Sequence, residues 1–114
     1  VLWRNGTNLT GNFISGSLAH QLNGPQGFAI DTTFLPGTIF IVNSQQHTVV
    51  QWPIGARNGS VVAGTDGVQG SSATTLKYPV SMKVDSDANM FVVDNNNHRI
   101  QLYCRNSTSY GSGR

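Results

Sequence analysis

The stretch Leu76-Lys77-Tyr78-Pro79-Val80-Ser81-Met82-Lys83-Val84-Asp85 decides the fold, because an earlier stretch repeats it. That stretch is Leu22-Asn23-Gly24-Pro25-Gln26-Gly27-Phe28-Ala29-Ile30-Asp31, and Leu, Pro and Asp recur at a constant offset of 54. Next, Ile39-Phe40-Ile41-Val42-Asn43 matches Met90-Phe91-Val92-Val93-Asp94 at an offset of 51. His47-Thr48-Val49-Val50-Gln51-Trp52 matches His98-Arg99-Ile100-Gln101-Leu102-Tyr103 at the same offset. The change of offset falls where a turn near 32–37 is longer than the turn at 86–89. Loops absorb insertions and strands do not, so this placement supports the alignment.

Partial copies lie outward of this pair. Val1-Leu2-Trp3 reads like Val50-Gln51-Trp52, and Phe13-Ile14-Ser15-Gly16 reads like Val61-Val62-Ala63-Gly64. The period is therefore about 50 residues. Residues 1–20 read as the end of one unit, 21–75 as a full unit with its linker, and 76–114 as most of a following unit. The chain begins in mid-pattern at Val1, so no signal peptide is expected within it.

Each unit reads as short strands. Phe28 and Ile30 alternate with Ala29 and Asp31, as Met82 and Val84 alternate with Lys83 and Asp85, which is the period of a strand with one apolar face. The continuous apolar runs 39–42 and 90–93 predict strands buried on both faces. The mixed stretches 47–52 and 98–103 predict a third strand, and 60–63 an outermost fourth. Pro36-Gly37, Asp87-Ala88-Asn89, residues 43–46 and 94–97, and Asn58-Gly59 supply the turns between them. No apolar spacing of 3.6 residues persists, so helices are not expected. Four strands per repeat point to an all-β fold of β-propeller blades, each a four-stranded antiparallel sheet. Roughly four to eight blades close a propeller ring, so this chain reads as a partial, open propeller. A self-contained β-sandwich is the alternative. Uncovered blade faces predict that the isolated chain is marginal or self-associates.

Composition agrees. The 114 residues include no Glu, five Asp and thirteen Gly; 38% are hydrophobic and 11% charged, with a net charge of +2. That excludes a charged disordered tail and a long charged helix. No cationic cluster calls for nucleic acid, and no apolar stretch is long enough to span a membrane as a helix. The single Cys104 allows no internal disulfide.

The residues quoted above resemble the NHL repeat. Its Leu-x-x-Pro start, its hydrophobic-x-Val-Asp strand, its Val-x-Asp end and its Asn-His-Arg-Ile strand are matched closely at 76–104. The match at 22–53 is looser, with Asn43 at the place of the second Asp and Thr48 at the place of Arg. Val61-Val62-Ala63-Gly64, followed by Gly67 and Gly70, looks like the linker between such repeats. The resemblance covers nearly the whole chain. It implies propeller blades and a binding or interaction role for another protein or a ligand.

The motif residues Pro25, Asp31, His47, Pro79, Asp85, Asp94, Asn97, His98 and Arg99 read as mainly structural. Asp94 with residues 95–97 predicts a turn whose carboxylate accepts backbone N–H groups. Pro25 and Pro79 stiffen the approach to the first strand of each unit. Arg99 can lay its stem over the sheet and pair with an Asp. Trp52 and Tyr103 sit at a repeated strand position and read as packing.

Tests for chemistry give no catalytic residue, metal site or cofactor. His20, His47 and His98 do not have a ligand spacing. Cys104 lacks the sequence context of an activated thiolate, G-x-S-x-G does not occur, and the Gly-rich stretch 64–70 lacks the Gly-Lys-Ser/Thr of a phosphate loop. The resemblance raises one enzyme, the peptidylglycine amidating lyase, whose zinc His directly follows the repeat's Pro. Gln26 and Val80 stand there instead, and Val binds no zinc. It also raises an RNA-binding propeller. Here Arg57, Lys77, Lys83, Arg99 and Arg105 scatter over different strands and turns rather than forming the basic, aromatic surface that RNA needs.

Four N-x-S/T sequons begin at Asn5, Asn8, Asn58 and Asn106. Three of them occupy one repeat position, between the third and fourth strands. An exposed turn there suits a glycan. Together with the Ser, Thr and Asn richness this predicts an extracellular or cell-surface setting.

Overall fold

A computed structural model of the chain describes residues 22–32, 37–53, 55–105 and 110–114. Among them the fold is all-β, in two antiparallel sheets. The first contains β1 (Pro25–Asp31), β2 (Thr38–Asn43), β3 (Thr48–Trp52) and β4 (Ser60–Gly64), in sequence order. The second contains β5 (Ser81–Val84), β6 (Met90–Asp94) and β7 (Arg99–Tyr103). The reading of residues 1–20 lies outside the described residues.

The strands form where alternation and apolar runs place them. The turns after β2 and β6 are single 3₁₀ turns, Ser44–Gln46 and Asn95–Asn97. Each is stopped by a left-handed residue, His47 at φ 61° and His98 at φ 53°. The repeated histidine is thus the residue that reverses the chain into the next strand.

Alternation sorts the side chains onto two faces. Phe40, Val42 and Val49 of the first sheet pack with Met82, Met90, Val92 and Tyr103 of the second to form the main core. Leu76 is fully buried in that core, ahead of β5. The two sheets therefore stack face to face. β1 runs close to the start of β5, since a Cβ on Gly27 would stand 3.1 Å from the Val80 carbonyl oxygen. The opposite face of the first sheet carries a second cluster of Ile39, Ile41, Val50 and Trp52, with Leu22 and Ala56 against it. Fully burying one such side chain contributes about 1.5–3 kcal/mol. Trp52 also donates from its indole nitrogen to the Ala56 carbonyl at 2.9 Å, which folds the β3–β4 connection over its ring.

The two central strands differ. β2 is buried throughout, as its apolar run predicts, but β6 is not, and Phe91 is 38% exposed. The sequence expectation for β6 is corrected here. Its run is apolar throughout, like that of β2, but burial on both faces needs a neighbour on each side, and the outer face of the second sheet is only partly covered.

Beyond β7 the chain turns back along its edge. Arg105 bridges to Tyr110, and Arg114 and Leu102 exchange two backbone hydrogen bonds of 2.9 and 3.3 Å. Residues 110–114 thus lie where β4 lies in the first sheet. No helix among the described residues is long and apolar enough to cross a membrane.

Candidate functional site

The densest polar constellation lies at the end of β6. Asp94 is fully buried and accepts three hydrogen bonds: from the Lys77 backbone N–H at 2.7 Å, from Asn97 Nδ2 at 2.7 Å and from Arg99 Nε at 2.8 Å. The turn expectation for Asp94 is corrected in one respect. Its carboxylate makes no cap to its own 3₁₀ turn, and instead reaches the segment leading into β5. A side chain leaving the last residue of the strand can meet Lys77 because the chain before β5 passes beneath it.

Arg99 carries the connection outward. Its guanidinium donates to the carbonyls of Ser71, Ser72 and Thr75 at 2.8 to 3.1 Å, while its Nε holds Asp94. Asn97 adds a bond to the Gly70 carbonyl at 2.7 Å. The ion pair expected of Arg99 is present, and it fixes the linker 65–75 onto the sheet.

The first sheet repeats half of this arrangement. Asn43 Oδ1 accepts the Asn23 backbone N–H at 2.6 Å, as Asp94 accepts that of Lys77. Asn23 Nδ2 donates to Gln46 at 3.0 Å, and Gln46 donates to Asp66 at 3.1 Å. Thr48 replaces the arginine, and its buried hydroxyl has no hydrogen-bond partner.

His47 joins the sheets. It is buried, and its Nδ1 accepts the Tyr78 backbone N–H at 3.1 Å. The two rings meet edge-on, with centroids 4.5 Å apart. Burial pushes its pKa below the ordinary 6.5, against the pull of Asp94 and with the help of Lys77. Protonating Nδ1 would also remove the acceptor that Tyr78 uses. Because the folded value lies below the unfolded one, the contribution of neutral His47 is complete above pH 6.5 and is lost as pH falls through the folded value. Denaturant midpoints are expected to be flat above pH 6.5 and to fall below it, and His47→Gln is expected to flatten that acid limb. An unchanged slope in the variant would assign the limb to other groups.

The remaining motif residues have local tasks. Asp85 closes an Asx turn, accepting from the Asp87 and Asn89 backbone N–H groups at 2.9 Å each and from Asn89 Nδ2 at 3.2 Å. Burial pushes its pKa up, but these hydrogen bonds outweigh burial and hold it below the usual carboxylate value. Asp31 is buried at the end of β1. Pro79 is buried just ahead of β5, and Pro25 is exposed as the first residue of β1. His98 is exposed. Trp52 and Tyr103 are 2% exposed and belong to the two cores, as their repeated position predicts. Burial raises the Tyr103 pKa to about 12.

Asn58 is exposed in the β3–β4 connection, while Asn5, Asn8 and Asn106 lie outside the described residues. Gln26 is exposed and Val80 half-buried. Among the described residues no group of three or more His, Cys, Asp or Glu is placed to hold a metal ion. Cys104 is a free thiol.

Sequence reasoning did not single out Tyr110. Its hydroxyl donates to the Ala88 carbonyl at 2.7 Å, its ring meets Phe40 edge-on, and the Arg105 guanidinium lies 5.3 Å from its centroid. Tyr110 stands where the full unit has no aromatic residue, so no repeat signal marks it. No protein-family model matches this chain, and no curated protein matches it.

Proposed function

We propose that the chain is a piece of an NHL-type β-propeller, a full blade and most of the next, serving as a non-enzymatic module that binds another protein or a small ligand. The observation that carries this reading is what the repeated residues do. Asn43 and Asp94, His47, Gln46 and Asn97 all spend their polar atoms on the scaffold itself. Residues that do not repeat gather on the linker, where Asp66, Val68, Gln69, Ser72 and Thr74 are exposed. A rigid scaffold that presents variable loops is the usual arrangement of a binding module. The exposed sequon at Asn58 supports an extracellular or cell-surface setting for it.

The test uses the full-length protein expressed in a secretory host. The expected results are a mass shift on glycosidase treatment, no stoichiometric zinc, no amidating-lyase activity and no salt-dependent RNA shift. Partner binding in the native cell's medium or surface fraction should disappear when the exposed residues of 65–74 are replaced by Gly and Ser. Bound zinc with lyase activity, or an RNA shift that weakens with salt, would overturn the reading. Unglycosylated protein recovered from the cytosol would overturn the setting.

A further inference from the structure

Two Asn-Gly steps lie within the described residues, Asn23-Gly24 and Asn58-Gly59, and a third, Asn5-Gly6, lies outside them. An Asn followed by Gly is open to one spontaneous reaction. The main-chain nitrogen of the next residue attacks the side-chain amide carbon, and a Gly there has no Cβ to obstruct the approach. The attack needs a side chain free to turn onto its own backbone. The fold grants that freedom to one of the two described steps and denies it to the other.

Asn23 is held on three sides. Its Nδ2 donates to Gln46 Oε1 at 3.0 Å, its backbone N–H donates to Asn43 Oδ1 at 2.6 Å, and its carbonyl accepts the Gln45 N–H at 3.1 Å. Asn58 is exposed in irregular backbone between β3 and β4, and among the described residues nothing bonds its side-chain amide. Gly59 cannot be exchanged for a bulkier, slower neighbour. A Cβ there would stand 2.5 Å from Trp52 Cε3, and Trp52 is buried. Packing of the β3–β4 connection onto the indole therefore requires glycine at the position that makes Asn58 reactive.

We propose that Asn58 is a site of spontaneous modification, losing its side-chain amide to attack by the Gly59 nitrogen wherever it carries no glycan. The Gly59 nitrogen gives its proton to solvent and bonds to Asn58 Cγ, while the Cγ–Nδ2 bond breaks and Nδ2 leaves as ammonia. Water then opens the cyclic imide at either of its carbonyls, leaving an aspartyl or an isoaspartyl residue. Either product puts a carboxylate beside Arg57 in place of a neutral amide. The isoaspartyl form also lengthens the main chain by one methylene, just ahead of the glycine seated on Trp52. Nδ2 is also the glycan acceptor of the Asn58-Gly59-Ser60 sequon, so the two modifications exclude each other. Once the amide is lost no nitrogen remains to take a sugar, and a sugar on Nδ2 shields Cγ and burdens the leaving amine. The exclusion rests on reading the sequon as used; the reactivity of Asn58 does not.

Peptide mapping by mass spectrometry tests this on the full-length protein made in a bacterial host that adds no such glycan. During storage at mildly alkaline pH, Asn58 is expected to give both acidic products about tenfold faster than Asn23, or roughly 1.4 kcal/mol in the barrier. In concentrated urea the two sites should convert at similar rates, since only the fold separates them. In a secretory host, glycosylated wild type should keep Asn58 unconverted. Ser60→Ala from the same host, which lacks the sequon but keeps Asn58-Gly59, should convert at the bacterial rate. Native Asn23 converting as fast as Asn58, or Asn58 staying intact while the urea-unfolded chain converts, would overturn the reactivity. Glycosylated Asn58 converting as fast as in Ser60→Ala would overturn the exclusion. A secreted wild type without sugar at Asn58 would overturn the use of the sequon, and leave the bacterial comparison standing.

Discussion

Replacing Asp94 with alanine is expected to lower the unfolding free energy by about 2–4 kcal/mol, since it removes a fully buried acceptor from two neutral donors and from Arg99, whose side chain is 27% exposed. Asp94 is fully buried and is the acceptor for the Lys77 N–H, Asn97 and Arg99. Its loss leaves a guanidinium without its counter-charge and a backbone donor without an acceptor. The damage should spread to the linker, because Arg99 is the group that holds the carbonyls of Ser71, Ser72 and Thr75. Asp94→Asn is expected to cost less, about 1–2 kcal/mol. The first sheet shows why: Asn43 Oδ1 makes the equivalent bond to the Asn23 N–H without a charge. Urea titration of both variants measures the difference. Equal losses would mean that the neutral Oδ1 of asparagine recovers nothing and the charge carries the whole effect, and a loss below about 1 kcal/mol in the alanine variant would contradict the account of Asp94 as a buried acceptor.

Gly64→Ala is expected to cost roughly 3 kcal/mol, from a left-handed backbone and a collision together. Gly64 has φ +82°, and a Cβ there would fall on the His47 carbonyl oxygen. Neither side can move freely, since His47 is itself left-handed, buried and bonded to Tyr78. Gly67→Ala is the control. Gly67 is also left-handed, at φ +74°, but the nearest atom to its Cβ would be Gln46 Nε2 at 3.6 Å. It should lose only the conformational part, about 1 kcal/mol. Thermal melts of the pair isolate the collision, and equal destabilisation would remove it from the explanation.

These two glycines read alike in sequence, as members of one Gly-rich linker, and only the packing separates them. The same holds for the histidines. His47 and His98 occupy one repeat position and adopt one backbone conformation, yet the first is buried against Tyr78 and the second is exposed. Asp94 was legible as a structural carboxylate at the end of a strand. Its long-range acceptance of the Lys77 N–H was not, because a turn signal describes only neighbours in sequence.

What the sequence by itself determined is the set of strands, their order, the turns between them and which residues recur. These follow from alternation, apolar runs and turn chemistry, all of which act within a few residues. The tertiary structure alone decided which faces are covered, as at β2 against β6, and which atoms the recurring polar groups reach. It also brought Tyr110 back onto Phe40 and Ala88. Burial and hydrogen-bond partnership belong to pairs of surfaces, and a repeat pattern specifies each surface without stating whether its partner is present.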